Sequence, residues 1–107
     1  MILVIITLNA APEKRKELLQ TLKSIIGRIH EEKGCTRVRL LLDGDDGNIQ
    51  YLMEEWNTRE DLDDHIRSDL FGVLLGAKSI LSEQLDFKIM AVASTDGMEI
   101  IKKTRGR

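Results

Sequence analysis

The chain holds two histidines, one cysteine and one tryptophan, so acid–base or nucleophilic chemistry has few places to reside. His65 stands three residues after Leu62 and directly before Ile66, a spacing that puts it on or beside the apolar face of a helix through those residues. An imidazole, with an ordinary pKa of about 6.5, can take and return a proton near neutral pH. The same position also suits a partly buried histidine with one hydrogen-bond partner, and spacing alone leaves both readings open. Glu54 and Trp56 are two apart in a strand-like run, so a carboxylate and an indole share one face while Glu55 points the other way. The indole could stack on an aromatic ligand or fill the core at a strand end. Asp61 lies four before His65 and could orient the imidazole, or serve equally as an acid at the positive end of the helix dipole. Tyr51, Met53 and Phe71 read as lining around such a site.

Other chemistries find less to work with. His30 falls near a helix end beside Glu31, Glu32 and Lys33, where a cation suits the dipole, and it reads as structural. Cys35 is the single cysteine. It rules out an intrachain disulfide and, at the start of a strand, reads as a small half-buried hydrophobe rather than a nucleophile. Neither histidine has a second histidine or a cysteine cluster at ligating spacing, so no transition-metal site is expected. The acidic stretch Asp43-Gly44-Asp45-Asp46-Gly47-Asn48 lacks the alternating ligands and closing glutamate of a calcium loop and reads as a solvated turn. There is no glycine-rich phosphate loop.

The elements that must position these residues follow from periodicity. Ile2 to Leu8 is a run of Ile, Leu, Val and Thr, as in a strand buried on both faces. Pro12 suits the first position of a helix, and Leu18, Leu19, Leu22, Ile25, Ile26 and Ile29 then draw one apolar stripe opposite charged residues. Lys33-Gly34 should stop that helix. Thr36 to Leu42 and Ile49 to Trp56 are strand-like and joined by turn residues, predicting an antiparallel hairpin. Thr58 and Ser68 are capping residues, the first before Leu62 and Ile66, predicting a short helix, the second before a helix whose apolar face runs through Phe71, Leu74, Leu75, Ile80 and Leu81 and which Gly72 and Gly76 weaken. Phe87 to Ala93 returns to strand character, and after the turn at 94–97 the apolar Met98 to Ile101 is read as an edge strand.

The order β-α-β-β-α-α-β is that of an α+β, ferredoxin-like antiparallel sheet with helices on one face. At 107 residues one domain is expected over residues 1–101, with 102–107 a solvated basic tail. Leu3, Ile5, Leu41, Leu52 and Val92 are taken to give both sheet faces apolar character, so a second copy should cover the face that the helices leave bare, making a homodimer. A net charge of -2 gives no basic face for nucleic acid. The apolar N-terminal run lacks a basic leader, a cleavage signal and the length of a membrane span, so no membrane partner and a cytoplasmic location are expected.

The string Tyr51-Leu52-Met53-Glu54-Glu55-Trp56, followed by Leu62, His65, Ser68 and Phe71, resembles the hallmark of the antibiotic biosynthesis monooxygenase family. That hallmark is a Glu-x-Trp strand leading into a Leu-x-x-His-x-x-Ser-x-x-Phe helix pair. The resemblance runs from Met1 to about Ala93 and implies a dimeric α/β barrel with a pocket between helices and sheet in each protomer. It further implies a cofactor-independent monooxygenase of a small electron-rich aromatic, of quinol or anthrone type. His65 would be its catalytic residue, with Trp56, Glu54, Asp61 and Phe71 around the substrate. A non-catalytic small-molecule-binding or regulatory dimer and a small hydroxyketone isomerase are the alternatives. Leu70 stands where many members carry a histidine before the phenylalanine. The positions matching the asparagine and histidine of haem-degrading relatives are Val4 or Ile5 and Leu75, so haem degradation is not expected.

Overall fold

The first strand, β1 (Ile2–Asn9), organises the chain because it pairs on both sides. A computed structural model describes residues 1–106, and in it β1 runs antiparallel to a strand over Ile49–Trp56 and to another over Asp86–Ala91. Between them in sequence come α1 (Arg15–His30) and the outer strand β2 (Cys35–Leu42), which forms the hairpin with β3 (Ile49–Trp56). Two short helices follow, α2 (Arg59–Ile66) and α3 (Asp69–Gly76), the second ending at Gly76 rather than running on to Leu81, with Ala77–Ile80 a tighter 3-10 turn, and then β4 (Asp86–Ala91). The spatial order is β2-β3-β1-β4, every neighbour antiparallel. This is the α+β, ferredoxin-like arrangement that the element order predicts, with the sheet open in the protomer.

Alternation along the strands decides what meets the helices. Val4, Ile6 and Leu8 of β1 are fully buried and share one face with Leu52, Trp56 and Val38, packed on Leu18, Leu22, Ile25 and Ile29 of α1. Leu52, read from sequence as part of the second face, is therefore a core residue. It lies opposite Ile6 in the register, and residues two apart share a face. The opposite face still carries Leu3, Ile5 and Met53 half-buried, with Leu41 and Met90 exposed, so its apolar character stands.

The chain end differs from the sequence reading. Met98–Ile101 is not an edge strand but the first half of a helix, α4 (Met98–Arg105), which runs through most of the basic tail. The Glu99 carboxylate accepts from the Gly97 N–H at 2.9 Å, the cations fall in the last turn, and Gly106 closes the helix in the left-handed region at φ 73°. Acid first, base last and glycine after the end are helix signals that outweigh the two adjacent isoleucines. None of its residues is buried, and Arg107 lies outside the described residues. Among the described residues no helix is long and apolar enough to cross a membrane.

The turn after α1 ties the first helix to the second half of the chain. α1 ends at His30, and residues 31–34 turn the chain into β2, with Gly34 at φ 85°. The Gly34 carbonyl accepts from the Asn57 N–H at 2.8 Å, and a Cβ on Gly34 would collide with the Asp61 carboxylate. Left-handed backbone and absent space both demand glycine here. Gly34→Ala is expected to cost roughly 1–3 kcal/mol, read as a lower urea midpoint at unchanged m-value; an unaltered midpoint would contradict this account of the turn.

Candidate functional site

Strand alternation puts Glu54 and Trp56 on the helix side of β3, both with no exposed surface. α2 is set over them by its cap, where the Thr58 hydroxyl accepts from the Asp61 N–H at 3.1 Å. Its inward stripe then consists of Asp61, Leu62 and His65. Ser68 fixes the next corner. Its hydroxyl donates to the His65 carbonyl at 2.6 Å and accepts from the Phe71 N–H at 3.2 Å, so one side chain ends α2 and starts α3. The outcome is an aromatic stack. The Trp56 and His65 rings lie 4.7 Å apart at 27°, Phe71 meets the imidazole edge-on at 5.4 Å, and Phe87 meets Phe71 at 5.8 Å.

Inside that stack sits a charged cluster. His65, 2% exposed, brings Nδ1 to 2.6 Å from Glu32 Oε2, while Nε2 lies 3.6 Å from Glu54 Oε1, beyond hydrogen-bond length. The Trp56 indole N–H donates to that same Glu54 oxygen at 3.0 Å. His65 Nε2 and Glu54 Oε2 are both buried and unpartnered. Burial by itself would push the imidazole pKa down. The Glu54 carboxylate, joined by Glu32, outweighs that effect and holds it above the ordinary histidine value.

The site residues expected from sequence separate cleanly. His65, Trp56, Glu54 and Phe71 come together; Asp61 is buried one helical turn away, its carboxylate against Gly34. The carboxylate that holds the imidazole belongs to Glu32, which sequence reasoning passed over as part of a helix end. Its signal was indirect, since a buried imidazole needs a partner on Nδ1 and a turn closed by glycine can bring one. Tyr51 and Met53, read as lining, are on the bare face of the sheet instead, because they alternate with Leu52 and Glu54. The Tyr51 hydroxyl donates to Asp43 at 2.6 Å, and Asp43 also accepts from the N–H groups of Asp45 and Asp46, so the acidic stretch is a self-bonded turn. Glu55 points to the bare face as expected and pairs with Arg37 at 3.5 Å.

Cys35, half-buried at the start of β2, has its thiol pushed up to about 11, mainly by burial and then by the Glu54 charge. That state is unreactive at neutral pH. Leu70 packs in the core at 7% exposure. A separate open hollow of about 590 Å³, lined by Leu75, Lys78, Leu81, Glu83, Gln84 and Leu85, lies past the end of α3 and does not include His65. Among the described residues no group of three His, Cys, Asp or Glu is placed to hold a metal ion.

Against known proteins, the sequence model described as antibiotic biosynthesis monooxygenase matches residues 1–74, a span containing every member of the cluster. Similar solved structures include a conserved protein from Methanosarcina mazei Go1, 29% identical, with TM-score 0.78 over 83% of this chain and 89% of that one. A protein from Mycobacterium tuberculosis is 23% identical, with TM-score 0.82 over 90% and 98% of the two chains. One from Deinococcus radiodurans, provisionally described as an antibiotic biosynthesis monooxygenase, is 18% identical, with TM-score 0.84 over 91% and 97%. No curated protein matches the chain.

The raised imidazole pKa has a stability consequence with a definite sign. The folded protein binds the His65 proton more tightly than the unfolded chain does, so this stabilisation is complete below a pH of about 6.5 and disappears as pH rises through the folded value. Urea midpoints are expected to fall between pH 6 and pH 8, and His65→Gln should flatten that slope; an equal slope in the variant would show that His65 is not the group responsible.

Proposed function

The chain belongs to the antibiotic biosynthesis monooxygenase family, and on that premise we propose that it is a cofactor-independent monooxygenase of a small electron-rich aromatic, a quinol or anthrone. One observation carries the reading: an imidazole nitrogen, His65 Nε2, is buried without a partner inside a wall of aromatic rings while the other nitrogen is held by a carboxylate. A flat aromatic substrate would take the place of ring–ring contacts against Trp56 and Phe71. Its hydroxyl proton would pass to Nε2, and the resulting anion is electron-rich enough to reduce dioxygen. The substrate supplies all four electrons. One oxygen atom enters it, and the other leaves as water with the protons the substrate gave up. The protein contributes a dry enclosure, a base and orientation. With the imidazole 2% exposed, substrate entry requires side chains around it to move aside.

The second protomer belongs to the same proposal. Leu3, Ile5, Met53 and Met90 make the bare sheet face the surface on which another copy stacks, forming the dimeric α/β barrel. Replacing Ile5 by Lys is expected to turn a dimer into a monomer by light scattering at micromolar concentration; a wild-type monomer would overturn this part.

A ligand-binding dimer without turnover is the second reading, favoured by the tight packing of Trp56, His65 and Phe71 and by Leu70 in place of a second histidine. Oxygen uptake separates the two. With a panel of quinols and anthrones, His65→Ala should lower kcat/KM about 100-fold or more. A ligand that raises Tm yet is recovered unchanged from aerobic incubation would favour binding alone.

A further inference from the structure

The cluster holds two carboxylates on opposite nitrogens of one imidazole, and they differ in a way that assigns them different work. Glu54 is sealed, with 0% of its side chain exposed, and bonded to the Trp56 indole; Glu32 comes from the turn after α1 and keeps 25% of its side chain exposed. Only Glu32 is within hydrogen-bond distance of the ring, at 2.6 Å. A carboxylate has no proton to give in its ionised state, so the proton on that contact belongs to Nδ1. A neutral imidazole carries one N–H, and its Nε2 must then present a lone pair.

We propose that Glu32 is the positioning residue of this site: it fixes His65 as the Nδ1–H tautomer and so leaves Nε2 free to accept the substrate proton, while Glu54, 3.6 Å from Nε2, sets how strongly that nitrogen holds it. This rests on the reading of His65 as a base. The lone pair of Nε2 beside a buried anion is an unfavourable arrangement until a proton arrives, which favours proton capture at that nitrogen. The protonated ring is then held between both carboxylates until the proton returns to the departing oxygen. The charges that act on His65 are those of Glu32, from the turn after α1, and Glu54, from β3. α3 presents the Phe71 ring, and the thiol of Cys35 on β2 is kept neutral.

Two variants split the roles. In Glu32→Gln the amide oxygen still accepts from Nδ1–H but the charge is gone; in Glu32→Ala both are lost. Nitrogen-15 NMR of the imidazole, recorded on the high-pH side of its titration, should show the Nδ1–H tautomer in wild type and Glu32→Gln, with the titration of Glu32→Gln moved to lower pH. Glu32→Ala should show a mixture containing Nε2–H. In turnover, kcat/KM should rise with pH through the His65 titration, because only the neutral ring accepts a proton, and in Glu32→Gln that limb should move to lower pH. Glu32→Ala should lose roughly 10- to 100-fold in kcat, by analogy with the loss when the carboxylate behind a metal-bound histidine is removed. A tautomer and titration unchanged in Glu32→Ala would overturn the proposal. The NMR readout needs no substrate, so variants that behave as expected in a protein that oxidises no quinol would count against the oxygenase reading and leave the role of Glu32 standing.

Discussion

A carboxylate with no exposed surface is expensive in an apolar interior unless something nearby compensates its charge, and Glu54 imposes that demand on this fold. One indole N–H meets part of it, and the imidazole 3.6 Å away adds to that only when its ring carries a second proton; both come from residues that also serve as hydrophobic bulk. Trp56 and His65 can therefore be neither purely packing nor purely polar. The stack of rings shields the charge from water, and the charge in turn dictates the state of the ring above it. Because the contact is enclosed, its electrostatics are little screened by water, and His65 Nε2 and Glu54 Oε2 are left without partners.

The rest of the fold holds this contact in place. β1 sits between two partners, so β3 is fixed at the sheet's interior and its Glu54 and Trp56 side chains face the helices with no freedom of register. Ser68 then joins the ends of α2 and α3 through a single hydroxyl, which sets Phe71 against the imidazole. Short helices have little intrinsic stability. Caps and buried anchors, rather than helix propensity, keep α2 and α3 where the site requires them.

Much of this was legible in the residues. The stripe of α1, the strand alternation that pairs Glu54 with Trp56, the hairpin turn and the Thr58 and Ser68 caps are local patterns, and local physics produces them. Misreadings occurred where a short segment carries two signals, as in Met98–Ile101, whose isoleucines suggest a strand while its flanking charges and Gly106 make a helix. Tyr51 and Met53 lie near Glu54 in sequence but have the opposite parity along β3, so nearness along the chain does not bring them to the site. Glu32 was invisible for a different reason. Its bond to His65 spans 33 residues, and the exposed helix-end composition around it looks like that of any solvated terminus.

Gly34 gives the arrangement a further property. The turn that carries Glu32 is fastened just ahead of α2 by the Gly34 carbonyl, which accepts from the Asn57 N–H, and by the close approach of Asp61. Loops drift more readily than strands as sequences diverge. An exchange of Glu32 alone would change the charge beside His65 Nδ1 without altering any residue of the aromatic stack. Within one scaffold, the proton affinity of a buried histidine is thereby set from a loop, apart from the rings that enclose it.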